Sequence, residues 1–92
     1  MSKVIEVAVA ALAGKSFDAV AKFVIEGEGA IMLDGDGPRA GDEPADVVLT
    51  ASAEVFQGLL SGDVSATGAF MSGKLKVDGS MGLAMKLGQA LS

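Results

Sequence analysis

The residues able to do chemistry in this chain are acids, lysines and thioethers, because it contains no His and no Cys. Serine–histidine and cysteine–histidine catalysis are therefore excluded, as are disulfides, cysteine-ligated zinc and iron–sulfur clusters. The most metal-like spacing is Asp34-Gly-Asp-Gly37, which follows the opening of a calcium-loop pattern. Continued onward, it puts Pro38 in a ligand position, Arg39 where the turn needs glycine and Ala45 where a closing Glu belongs. No calcium site is expected. Gly27-x-Gly29 and Gly35-x-Gly37 lack the further glycine and the helix opening of a dinucleotide fingerprint, so they read as turns. Glu26/Glu28 and Asp42-Glu43 lie on turn-rich segments, where carboxylates are solvated rather than tuned for proton transfer. Lys74 and Lys76 share one strand face and, with Lys86, suit an anionic head group, although solvation is the ordinary fate of such lysines. An enzyme domain would have only carboxylates and lysines to work with, so no catalytic residue, metal or cofactor is expected.

The 92 residues make one domain, spanning 1–92, with a modest core. Half the residues are apolar and the mean hydropathy is +0.48, yet the only aromatic residues are four Phe. Disorder is excluded by that composition. Twelve acids against seven bases give a net charge of −5. Phosphate neutralisation needs the opposite sign, so no nucleic-acid partner is expected. The charge is uneven: residues 1–46 carry nine acids and four bases, residues 47–92 three of each. Residues 34–46, rich in Gly and Pro, read as a turn-dense loop with room for a short edge strand. Val7 to Gly14 is an apolar run, but at eight residues it is short for a signal-peptide core, and no run reaches the ~20 apolar residues of a membrane span. A cytoplasmic protein is the expectation.

Periodicity supplies the elements. Ile5, Val9 and Leu12 recur at helical spacing behind Ser2 as a cap, giving a helix over Ser2–Ala13 that stops at Gly14. Ala19–Glu26 alternates as a strand with Ala19, Ala21, Phe23 and Ile25 on one face. A two-residue turn at Gly27-Glu28 leads into a second strand, Gly29–Asp34. Asp46–Ala51 alternates again. Ser52 caps a helix to Leu60, with Phe56, Leu59 and Leu60 in its stripe, and Asp63 caps a shorter helix ending at Phe70-Met71. Gly73–Asp78 is the clearest strand, with Leu75 and Val77 inward. Ser80 then caps a helix running to the C-terminus. Grouped strands and grouped helices predict an α+β fold with helices covering one sheet face.

The last helix does not look like plain core. Met81, Leu83, Ala84, Met85, Leu87, Ala90 and Leu91 leave Lys86 and Gln89 as its clear polar side chains. A second apolar face must meet something: the protein's own core, another subunit, a membrane surface or an apolar ligand. Met32, Met71, Met81 and Met85 fall in segments expected to pack together, and flexible thioethers suit both core filling and a pocket that accepts several shapes.

The run Gly73-Lys-Leu-Lys-Val-Asp-Gly-Ser-Met-Gly-Leu-Ala-Met-Lys-Leu87 resembles the C-terminal signature of the sterol carrier protein-2 (SCP2) sterol-binding domain family. Ala45-Asp-Val-Val-Leu-Thr-Ala-Ser52, Phe56-Gln-Gly-Leu-Leu-Ser-Gly62 and Ala69-Phe-Met-Ser-Gly73 resemble the same family's preceding strand, helix and approach. The resemblance spans residues 45–92 and is closest to a stand-alone, bacterial-type member. It implies a five-stranded mixed β-sheet covered on one face by helices around a hydrophobic tunnel. It implies binding or transfer of an apolar lipid, such as a fatty acid, fatty acyl-CoA, sterol-like or isoprenoid lipid, without chemistry on it. Phe56, Leu60, Phe70, Met71, Met81, Met85 and Leu87 lie in matched segments where tunnel-lining residues belong, and strand alternation adds Phe23 and Ile25. The rival reading is a protein-interaction module whose apolar C-terminal helix binds a partner enzyme or a second copy in a homodimer. Transient contact with a membrane surface stays open beside either.

Overall fold

A computed structural model describes residues 3–91. The Ser2 cap expected for the first helix lies outside the described residues. The elements run α1 (Lys3–Ala11), β1 (Ala21–Ile25), β2 (Gly29–Asp34), β3 (Gly37–Ala40), β4 (Val47–Ala51), α2 (Ala53–Ser61), α3 (Ala66–Met71), β5 (Leu75–Gly79) and α4 (Met81–Leu91). The strands form one five-stranded sheet in the order β3-β2-β1-β4-β5. β1 and β4 pair in parallel and the other neighbours antiparallel, so the sheet is mixed.

Alternation decides which side chains go inward. Ala21, Phe23 and Ile25 of β1 are buried, as are Val47, Leu49 and Ala51 of β4, and register places Phe23 beside both Ile31 and Leu49. The helices bring Ile5 and Ala8, Phe56 and Leu59, Ala69, and Leu87 into that same cluster, joined by Leu12 from the turn after α1. The helices therefore share one face of the sheet. The Phe23 and Phe56 rings meet edge to face, 5.3 Å between centroids, which joins β1 to α2 by a favourable quadrupole contact. On the opposite face Met32 is fully buried, because the chain after β3 folds back over it and Lys22 Nζ meets Asp42 Oδ1 at 2.8 Å.

Two junctions hold the frame. Asp46, just before β4, accepts a hydrogen bond on its carboxylate from the Val20 N–H at 3.1 Å and donates its own N–H to the Val20 carbonyl at 2.9 Å. Its carbonyl lies so close to Gly79 that any Cβ there would collide with it, and Gly79 has φ +96°. The glycine of the C-terminal signature is thus a requirement of β5 closing against β4. At the other edge, Arg39 of β3 bridges Asp34 at 2.8 Å and Glu43 at 3.0 Å. The Arg39 hydrogen bond, helped by the Asp36 N–H, holds the Asp34 carboxyl below its usual range. These charges are solvent-screened, so they contribute little to stability. Arg39 thereby occupies Asp34, the first acid of the calcium-like run.

Two local expectations are corrected. The β1–β2 connection has three residues, Glu26–Glu28, with Gly27 at its centre at φ +79°, because Ile25 pairs with Gly29. Asp63 does not cap α3: Ser65 does, accepting from the Gly68 N–H at 3.0 Å, while the Asp63 carboxylate accepts from the Ser61 hydroxyl at 3.2 Å. The remaining caps fall as the sequence places them, Ser52 accepting from Val55 N–H and Ser80 from Leu83 N–H.

Candidate functional site

α4 distributes its apolar residues over two faces. Leu87 is fully buried in the core and Leu83 packs half-buried against it. Met81, Ala84, Met85 and Gly88 recur at i, i+3, i+4 and i+7, and this second stripe walls a cavity, with Ala84 also packing half-buried against the core. The opposite wall is built by the α2–α3 connection. Gly58 in α2 has no side chain, so Val64 settles against the helix, its N–H donating to the Gly58 carbonyl at 3.0 Å. A Cβ at Gly58 would come within 2.5 Å of Val64 Cγ2. That close approach fixes Val64 at the cavity edge and sends the chain into α3.

The cavity measures about 530 Å³. Its floor is Leu49 of β4, Leu75 and Val77 of β5 and Leu59 of α2, the three leucines 4–5% exposed. Phe70 of α3 and Met81 and Met85 of α4 stand at its mouth with 42%, 47% and 68% of their surface exposed. Gly62, Ser65, Thr67 and Gln89 complete the lining. Among the described residues no lining residue is titratable, and the Ser65 hydroxyl already accepts from the Gly68 N–H at the α3 cap. The volume lies within the about 300–1,000 Å³ typical of small-molecule sites. Such walls gain free energy by taking alkyl surface out of water, and they offer no acid, base or nucleophile.

A second cavity of about 650 Å³ lies on the other side of the Val64–Ser65 segment. Glu26, Glu54, Asp63 and Lys74 surround it, so an alkyl chain there would strip water from charges with little apolar return. Volume favours this second site but chemistry favours the first. Among the described residues there is no cluster of three potential metal ligands, and no helix is long and apolar enough to cross a membrane.

Of the nine residues expected to line the site, the structure brings Phe70, Met81 and Met85 to this cavity. Phe23, Ile25, Phe56 and Leu87 are instead 0–2% exposed within the core, where their neighbours are other side chains. Leu60 packs half-buried against the core and Met71 points to solvent, 81% exposed. None of these six lines the cavity. Sequence reasoning missed Leu49, Leu59, Leu75 and Val77 as lining residues, although alternation and helical spacing had turned all four inward. It also missed Ala84 and Gly88, which the i+3 and i+7 positions from Met81 pointed to.

Comparison with known proteins bears on this arrangement. The sequence matches the SCP-2 sterol transfer family over residues 2–92. It is 41% identical over 97 residues to hydroxysteroid dehydrogenase-like protein 2 of Xenopus tropicalis, covering 97% of this chain and 23% of that protein. The chain thus spans about a quarter of that relative's length. The fold is similar to apo sterol carrier protein 2 from Yarrowia lipolytica, with a TM-score of 0.72 and 29% identity over 97% of this chain and 71% of that one. It is also similar to the Aedes aegypti sterol carrier protein-2 in complex with palmitate, with a TM-score of 0.77, 100% of this chain and 97% of that one covered. At 21% identity that second likeness bears on the fold.

Proposed function

Because the chain belongs to the SCP-2 sterol transfer family, we propose that it binds an apolar lipid in the cavity between α3 and α4 and performs no chemistry on it. The observation that carries this reading is the second apolar stripe of α4, which walls a cavity of about 530 Å³ floored by leucines and a valine. The palmitate complex of the Aedes aegypti protein supports an acyl chain as the class of guest. A lining with no titratable group among the described residues suits desolvation rather than proton transfer. A single acyl or isoprenoid chain fits best, its polar end at the open mouth beside Phe70 and Met85.

Titration with a series of fatty acids from octanoate to stearate tests it. Each methylene taken into the cavity contributes about 0.8 kcal/mol, so affinity should rise about fourfold per added carbon until the cavity is full, then level off. Affinity independent of chain length, or no binding, would sink the reading. Lipid-free dimers formed through α4 would instead assign its second face to a protein partner.

A further inference from the structure

We propose that Met81 and Met85 are a reversible oxidation site through which a peroxide weakens lipid binding in this cavity, an inference that rests on the lipid-binding reading above. The described methionines divide sharply: Met32 is fully buried, whereas Met71, Met81 and Met85 are 81%, 47% and 68% exposed. Two of the three exposed thioethers form the mouth of the cavity, one turn apart on α4. Any aliphatic side chain would serve as an apolar wall there; methionine adds a sulfur that reacts.

The step balances with hydrogen peroxide alone. A sulfur lone pair attacks one peroxide oxygen, the S–O bond forms as the O–O bond breaks, and the other oxygen takes the proton of the sulfur-bound hydroxyl and leaves as water. The thioether is oxidised to a sulfoxide and the peroxide is reduced. The new oxygen is a strong acceptor, and the floor of the cavity, Leu49, Leu59, Leu75 and Val77, has no side-chain donor to offer it; the donors in the lining are the Ser65 and Thr67 hydroxyls and the Gln89 amide. Turned toward the floor under a seated lipid it would lose water without replacement; turned outward, it would withdraw the apolar wall. Either way the oxidised site holds lipid less well; a thiol-dependent sulfoxide reductase restores the thioether, the oxygen leaving as water while two thiols of that enzyme are oxidised to a disulfide. The coupling is reciprocal, since a seated lipid covers the sulfurs of Met81 and Met85 but not that of Met71. The empty protein is the sensitive form and the loaded protein the protected one.

The experiment treats the protein with hydrogen peroxide, with and without palmitate, maps oxygen uptake by peptide mass spectrometry and measures palmitate affinity before and after. Expected are oxidation at Met71, Met81 and Met85 with Met32 spared, protection of Met81 and Met85 by palmitate, and about a tenfold loss of affinity. In M81L/M85L the affinity, whatever its starting value, should no longer respond to peroxide. Undiminished affinity with both residues oxidised, absence of protection, or an equal loss in M81L/M85L would overturn the proposal while leaving lipid binding intact. If the untreated protein binds neither palmitate nor another fatty acid, the lipid-binding reading fails first and takes this one with it.

Discussion

Helices α1 and α4 lie on the same sheet face, are both built from small and aliphatic residues, and end in different states. α1 packs on β2, β3 and α2, with its Ile5 and Ala8 and the following Leu12 all at 0–3% exposure. α4 packs on β4, β5 and α3, but only one stripe of it reaches the core, through Leu87. The difference comes from what each helix meets. The strands beneath α1 present Ile31 and Leu33, which fill the space under it. Beneath α4 lies the β5 edge of the sheet, and across from it the short α3 and the propped Val64 leave the gap open. One half of the apolar face therefore stabilises the fold, and the other is available to a guest.

This contrast breaks if a core residue governs binding or a mouth residue governs stability. Phe23→Ala should have the largest effect, removing a fully buried ring and its contact with Phe56 at a cost of about 3–5 kcal/mol. A domain of this size holds roughly 5–15 kcal/mol in total, so urea denaturation should show a large fall in midpoint. An unchanged midpoint with lost lipid binding would place Phe23 in the site after all. Met85→Glu should do the converse. Its exposed position keeps the stability change within about 0.5 kcal/mol, while a charge at the mouth should weaken fatty-acid binding by about tenfold or more. Stability lost in proportion to binding would erase the distinction.

How far the sequence showed this contrast follows from what periodicity encodes. Alternation in β1, β4 and β5 and the caps at Ser52 and Ser80 were legible because they are local. The fold class was legible for the same reason, helped by the run from Gly73 to Leu87. The site was less so. Alternation shows that Phe23 and Leu49 both face the helices, but only packing shows that Phe23 meets the Phe56 ring while Leu49 floors a cavity. Met71 follows Phe70 in α3, yet one residue around a helix turns it out to solvent. The α3 cap was misplaced because Asp63 and Ser65 are both good capping residues. The three-dimensional path after Gly62 decides between them.

Smaller effects sharpen the same boundary. Ser65→Ala removes the α3 cap, which should cost about 1 kcal/mol and loosen the Phe70 wall. Thermal unfolding checks the stability, and a matching modest weakening of binding is expected because α3 walls the cavity. Least of all is the pH response. The Asp34 carboxyl is held below its ordinary value by Arg39, so its stabilisation is fully present above the unfolded value and fades as pH falls through the lower folded one. Near neutrality this pair should leave stability flat, and Arg39→Ala should alter only the acid limb of a urea-stability profile. Since no described lining residue titrates, affinity for an uncharged lipid such as a fatty alcohol should stay constant from about pH 5 to 8.

Methyl NMR of methionine-labelled protein during titration with palmitate tests most directly whether the second stripe of α4 is a lipid site. The Met81 and Met85 signals should shift and saturate together at one lipid per chain, while Met32, on the opposite sheet face, stays unmoved as an internal reference. Shifts confined to Met32, or no shift at Met81 and Met85 while lipid binds, would contradict it.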